Sequence, residues 1–527
     1  MASFTIIENF EPIKDSKMLD KAKSFNRELF KKTVNPCRII KGLKIDESTK
    51  RYVPNELIEI EKMKDIKLQQ DENIIIDFGN HFVGKLKIKI AHSGSHPDAP
   101  GFIKLKMAEI IDELAADSSN YEGWISKGWI QEEWIHIDEF PMEIKLDRRY
   151  ALRYLQLDVL ATSAKYKIYV EEVSLEAESW IDFKDNPQLK KVQDKELIEL
   201  DKVGLRTLRN SMQNVYEDGP KRDRRLWLGD LRLQALTNYY SFNDLELVKK
   251  CLYLFSASKF PNKSLGACLF VSPEVQVDDT NLIDYSLIFI STVYDYYEHT
   301  KDIELVKEFW EVIMDQVNTT WEFLGEQKMT NLNNDTFWSF IDWNPELDKN
   351  AAIQGVYITT YKHAIYLANV LGKNTDAKNL EEKINLLSEV AKNNYWDEKQ
   401  GLFVSGDQKQ ISYHSNIWMV LSGLFDQEKN KKILKKIIEV KPAIKLKTPY
   451  AYHYFLEALF LNDMQEEAVK IMKYYWGEMI KLGADTFWEL FDPEDPFYSP
   501  YGSSIVNSYC HAWSCAPTYF IRKYMDK

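Results

Sequence analysis

The sequence predicts two structural classes in one chain, an antiparallel β-sandwich over residues 1–187 and an all-α (α/α)6 six-hairpin toroid over residues 188–527. Three observations carry this reading. Apolar and polar residues alternate before about residue 185, apolar spacings of three and four dominate after about residue 190, and 527 residues exceed one ordinary domain. With 45% apolar residues, both parts can build a core.

In the first part, Leu86-Lys87-Ile88-Lys89-Ile90, Tyr154-Leu155-Gln156-Leu157-Asp158-Val159 and Tyr166-Lys167-Ile168-Tyr169-Val170 keep a period of two. That period marks strands with one face buried and one wet. Gly and Asn punctuate them, as in Asp77-Phe78-Gly79-Asn80. In the second part, Leu305, Phe309, Val312, Ile313, Val317 and Trp321 line one face of a long helix. About a dozen such stretches follow one another, mostly through short loops. Taken as six hairpins they close a ring with many loops around one mouth, although an open bundle has the same helix count. An internal echo favours the ring: Asp335-Thr336-Phe337-Trp338-Ser339-Phe340-Ile341-Asp342 resembles Asp485-Thr486-Phe487-Trp488-Glu489-Leu490-Phe491-Asp492. Equivalent loops at two stations of a ring would face one cavity; chance similarity is the alternative for so short a match.

Composition removes several functions. Sixty-eight Lys and Arg against 81 Asp and Glu give a net charge of −13, which argues against nucleic acid as a partner. No apolar run is long enough to span a membrane, and the first residues show no secretory signal. Five scattered cysteines, Cys37, Cys251, Cys268, Cys510 and Cys515, fit a reduced compartment, so the expectation is a cytoplasmic protein. No phosphate-binding glycine loop, zinc-protease helix or Gly-x-Ser-x-Gly elbow is present, and the histidines have no metal-ligand spacing.

The segment Glu217-Asp218-Gly219-Pro220-Lys221-Arg222-Asp223-Arg224-Arg225-Leu226-Trp227-Leu228-Gly229-Asp230 stands out. Gly219-Pro220 should break a helix that runs to about Tyr216, and a new helix should begin near Gly229. One loop then carries Asp218, Asp223 and Asp230 among cations and a tryptophan. Crowded carboxylates raise one another's pKa values while arginines lower them, so one can stay protonated beside ionised neighbours. A solvated, salt-bridged turn has the same composition. The second candidate is Asp485-Thr486-Phe487-Trp488-Glu489, a glutamate among aromatics, suited to a base beside a sugar-stacking wall. Two acidic clusters with abundant Trp and Tyr on a toroid point to carbohydrate hydrolysis.

The loop that reads Asp218, Pro220, Arg222, Asp223, Trp227, Gly229 and Asp230 resembles the signature of the α-L-rhamnosidases of glycoside hydrolase family 78. Trp488-Glu489 is similar to the family's second carboxylate motif, His511 to the histidine that follows it, and Asp342-Trp343 to another substrate loop. Asp77-Phe78-Gly79 and Arg153-Tyr154 resemble strands of its β-sandwich. The resemblance spans nearly the whole chain. Many members carry Cys at the place of Gly219, Glu at that of Asp223 and a Gly before the tryptophan.

The resemblance implies an inverting hydrolase that removes terminal α-L-rhamnose from a small rhamnosylated glycoside or oligosaccharide, with no cofactor and no metal. Asp223 would be the general acid and Glu489 the general base, about 6.5–9.5 Å apart. Arg222 would orient the carboxylates and keep Asp218 ionised, while Asp218 and Asp230 would stabilise developing positive charge. Trp227, Trp343 and Trp488 would meet the sugar's methyl group, and His511 would donate to a hydroxyl. Another sugar specificity on the same toroid, a non-catalytic glycan-binding protein and a polysaccharide lyase stay open. Aromatic surface stretches admit a homodimer.

Overall fold

The computed structural model describes residues 10–330 and 339–527; Asp335 to Trp338 of the internal echo lie outside the described residues. The strands of the N-terminal part pair antiparallel around one long strand, Asn73–Gly94, which bonds to Tyr166–Ser179, Tyr150–Ala161, Arg38–Ile45 and Met142–Lys145. Its register with Tyr150–Ala161 shifts between Asp77 and Phe82, where Gly79 has φ 79° and lets the strand bend. The alternation appears as expected at Leu86, Ile88 and Ile90, buried with Ile103, Leu105, Leu157 and Ile168 while Lys85 and Lys87 face out.

The expectation of one wet face fails at Tyr154 and Gln156, which are buried like their neighbours. Tyr154 sits in a second small core with Ile40, Ile75, Ala108 and Leu114, because further chain covers that side of the sheet.

Twelve helices of the toroid are present among the described residues. Six of them, Leu228–Tyr239, Ile283–Thr300, Asn350–Val370, Tyr413–Leu421, Pro449–Leu461 and Ala516–Phe520, touch in succession, and the last touches the first. The ring is closed, and an open bundle is excluded. Every residue of Leu228–Tyr239 is buried, as an inner helix requires. Outer helices such as Asn374–Asn394 bury only one stripe, there Ala377, Leu380, Ile384, Leu387 and Ala391. Ile303–Glu322 buries Leu305, Phe309, Val312, Ile313 and Val317, the face read from the sequence. Asp194, Asp244, Asp302, Asp426 and Thr448 cap helix N-termini through side-chain oxygens, which sets where these helices start.

The N-terminal residues leave the β part. Ile13–Lys14 pairs with Ser258–Lys259, and Ser16–Ser24 lies on Leu245–Ala257 of the ring. Sequence grouping by chain order places this strap with the strands; its amphipathic helix buries against helices instead, with Ala22 covered.

Inner helices approach closely at Gly355, where an added Cβ would lie 2.6 Å from the backbone carbon of Trp418. Gly355→Ala is expected to cost about 1–3 kcal/mol through overpacking, read as a lower thermal midpoint. An unchanged midpoint would show that the two helices can separate freely.

Candidate active site

The first acidic loop starts earlier than the sequence suggests. Helix Lys195–Ser211 stops at Ser211 because the end of the β part takes its terminal carbonyls: Ser179 Oγ donates to Arg209 O at 3.0 Å and Trp180 N–H to Met212 O at 2.7 Å. The next helix begins at Leu228, one residue before Gly229. Between them Asp218 organises the turn, accepting from the Asp223 N–H at 3.0 Å and the Arg225 N–H at 3.1 Å. Gly219 has no room for a side chain, since a Cβ would lie 2.3 Å from Ser508 Oγ. The loop is buried rather than a solvated turn: Asp218, Lys221, Arg222 and Asp230 are each at most 5% exposed.

Lys221 and Arg222 bind this loop to the second candidate segment. Lys221 Nζ donates to Ile505 O at 3.0 Å and Asn507 O at 2.9 Å, and is paired with Glu113 of the β part. Arg222 Nε donates to Val506 O at 2.8 Å, and its Nη2 to Glu489 Oε2 at 2.5 Å. The same guanidinium lies 3.4 Å from Asp223 Oδ1 and 4.0 Å over the ring of Tyr501. Glu489 also accepts from the Tyr501 hydroxyl and from the Ser508 N–H at 3.3 Å. Its backbone carbonyl receives the Trp513 indole N–H at 2.7 Å. One fixed cation thus bridges the two carboxylates proposed from sequence.

These groups line a cavity of about 330 Å³ together with Asp218, Asp230, Trp227, Trp343 and His511. That is the small end of ligand-site volumes, about 300–1,000 Å³. Its charges are strongly perturbed. Burial, then the charge of Asp223, pushes Asp218 up to about 8. Burial, then Asp218, pushes Asp230 well above the usual carboxylate range. Burial also raises Glu489, against the pull of Arg222. His511 is held well below its ordinary value by burial and by Arg222, so it is neutral. Asp230 Oδ1 and His511 Nδ1 stand 3.7 Å apart, and among the described residues neither has a hydrogen-bond partner. Two buried polar atoms left in that state suit a ligand that carries hydroxyl groups. Among the described residues no group of three or more His, Cys, Asp or Glu could hold a metal ion.

Three sequence expectations need correction. Arg222 is not paired with Asp218: its guanidinium is committed to Glu489, and burial with the charge of Asp223 pushes Asp218 up rather than down. Asp342 does not line the cavity. It is a buried anchor that accepts from His414 Nε2 at 2.7 Å, Thr448 Oγ1 at 2.7 Å, the Lys447 N–H at 2.8 Å and the Trp343 N–H at 2.9 Å. Trp343 therefore reaches the cavity because Asp342 fixes the chain before it. Trp488 turns away, 1% exposed, against Phe491, Tyr509 and the guanidinium of Arg51. The alternation of side-chain directions around Glu489 sends the acid inward and its neighbour outward. The two echo segments do share the cavity, through Phe340 and Glu489.

The sequence does not single out Tyr501, Trp513, Asp278 or Arg225, all on the cavity wall, nor Trp124 and Trp129, which come from the β part. A tryptophan 57% exposed beside a cavity was the one available signal, and only exposure reveals it.

Comparison with known proteins agrees with this architecture. Residues 36–177 match the glycosyl hydrolase family 78 alpha-rhamnosidase N-terminal domain, and residues 191–525 the bacterial alpha-L-rhamnosidase 6 hairpin glycosidase domain. A rhamnosidase from Klebsiella oxytoca, solved with rhamnose bound, is 37% identical with a TM-score of 0.92, covering 97% of this chain and 99% of that one. A family 78 rhamnosidase of Bacillus sp. GL1 shares the fold at 19% identity and a TM-score of 0.72, over 87% of this chain but 47% of its own. An α-L-rhamnosidase from Dictyoglomus thermophilum does so at 16% and 0.66, over 93% of this chain and 51% of its own. No curated protein sequence gives a significant match. Fold and site together define a six-hairpin glycosidase. The chain belongs to glycoside hydrolase family 78, with α-L-rhamnosidase as its class of activity.

The raised pKa of Asp218 has a consequence for stability. The folded protein holds this proton more tightly than the unfolded chain, so the contribution is fully present below about pH 4 and is lost as pH rises through about 8. Asp218→Asn stays neutral and should gain stability relative to wild type between about pH 5 and about pH 8. Chemical denaturation across that range checks it; a difference independent of pH would show Asp218 ionised throughout.

Proposed function

We propose that the protein is an inverting α-L-rhamnosidase that removes terminal, non-reducing rhamnose from small glycosides or oligosaccharides. The observation that carries this is one cavity in which Asp223, 22% exposed, stands beside a Glu489 gripped by Arg222 and Tyr501. Rhamnose bound to the similar Klebsiella protein supports the choice of sugar.

In this reading Asp223 gives its proton to the glycosidic oxygen as the bond to the anomeric carbon breaks. Glu489 takes a proton from a water that attacks the opposite face, and water's oxygen becomes the new anomeric hydroxyl. A buried carboxylate is a stronger base than one in water, which suits Glu489. Arg222, permanently charged, keeps Glu489 ionised before the transfer and fixes its aim. Asp223 is the more exposed acid and can reach a leaving group. Asp218, occupied by two backbone N–H groups, holds the Asp223 backbone rather than the substrate. Asp230 and His511 meet sugar hydroxyls, with the neutral imidazole able to donate or accept.

Asp223→Asn and Glu489→Gln should each lower kcat/KM on an aryl α-L-rhamnoside by about 10²- to 10⁴-fold, the usual range for acid–base catalysis. Proton NMR of the first product should show β-L-rhamnose, with the α form appearing later by mutarotation. If α-L-rhamnose appears first, the mechanism is retaining and Glu489 is not a base acting through water.

A further inference from the structure

The cavity has two ends, and they come from different halves of the chain. Side-chain exposure rises from 2% at Asp230 and 5% at Glu489 to 22% at Asp223, while Trp124 is 57% exposed. The inner end belongs to the toroid. The outer end is walled by Trp124 and half-buried Trp129 of the β part. A sugar seated against the buried carboxylates has its glycosidic oxygen near Asp223. Whatever follows that oxygen then lies outward, at the two tryptophans.

Their segment is tied down before any ligand arrives. The Trp124 N–H donates to Tyr501 O at 3.2 Å and its indole N–H to Pro500 O at 2.8 Å. The Tyr121 hydroxyl donates to Ile125 O at 2.8 Å, and Arg148 Nη2 to Gly128 O at 3.0 Å. Gly502, with φ 85°, brings its Cβ position within 3.4 Å of Gly123, so the two loops meet backbone to backbone. The Trp124 ring leans on Tyr501 at 5.7 Å, and Tyr501 in turn leans on Trp343 at 5.8 Å and bonds Glu489. An aromatic surface therefore runs from the base outward to the rim. A large ring held open to solvent by hydrogen bonds at its polar edge offers stacking area at little ordering cost.

We infer that Trp124 and Trp129 form a leaving-group subsite that takes a flat ring with an apolar face, aryl or pyranosyl. This rests on the rhamnosidase reading with Asp223 as acid. The β part then acts in substrate selection.

The test compares kcat/KM for phenyl α-L-rhamnoside, α-L-rhamnosyl-(1→6)-glucose and methyl α-L-rhamnoside, whose leaving group has no ring. Wild type, Trp124→Ala, Trp124→Phe and Asp223→Asn are measured on each. Trp124→Ala should lower the phenyl-to-methyl ratio about ten- to one-hundred-fold, the range for one stacked ring, mainly through KM, and Trp124→Phe should restore most of it. A matching fall in the glucose-to-methyl ratio extends the subsite to sugars; a fall for phenyl alone assigns it to aryl groups. An unchanged phenyl-to-methyl ratio overturns the inference, since a merely structural loss lowers all three substrates alike. Full activity of Asp223→Asn would instead overturn the acid assignment, while the ratio still reports the subsite.

Discussion

The contact between Arg222 and Glu489 is the constraint on which the site depends. Arg222 is almost fully buried, and its guanidinium spends its donors on the Val506 carbonyl, Glu489 and the Asp223 side. These lie in two segments more than 260 residues apart in sequence. A buried cation of this kind cannot lose its proton and has few stable positions, so both loops are located by it. Removing either partner leaves an uncompensated charge in the interior, which costs far more than the pair itself contributes. Lys221, one residue earlier, extends the same joint to Glu113 of the β part, so the two halves of the chain are fastened beside the reacting centre.

The cavity crowds more carboxyl groups than its cations can neutralise. Arg222 serves Glu489 and Asp223, and His511 is neutral because burial and the same arginine disfavour its charge. Burial and mutual repulsion therefore push Asp218 up to about 8 and Asp230 well above the usual carboxylate range. Carboxyl groups in unlike environments thus stand within one cavity, Glu489 gripped by Arg222 and Asp223 more exposed, the kind of contrast that lets two carboxyls take different roles. The inner helix Leu228–Tyr239, which carries Asp230, is buried along its whole length, and this keeps water from relaxing the arrangement from that side.

Much of this was legible from residue order, and the failures have physical causes. The strands at Leu86–Ile90 and the helix through Leu305–Val317 follow from one-dimensional periodicity, because each has one dominant environment. Tyr154 and Gln156 are both buried against the pattern, Tyr154 because a second small core covers it, which no local alternation reveals. The clustering of Asp218, Asp223 and Asp230 was readable, since one short loop carries them. The partner of Arg222 was not, because it depends on which distant carboxylate the ring closure brings near. Trp488 and Asp342 show the remaining limit: a motif locates a loop, but side-chain direction within it decides which residue faces the ligand. Trp124 had no local signal, as its role comes from the contact between the two halves.

The most direct measurement of this account is a double-mutant cycle on unfolding free energy with Arg222→Met and Glu489→Gln. The account predicts strong coupling, with the second substitution recovering at least about 1 kcal/mol of what the first one loses, within the range of residues that share a network. Additive effects would contradict it, showing that the two loops are held together by something other than this pair.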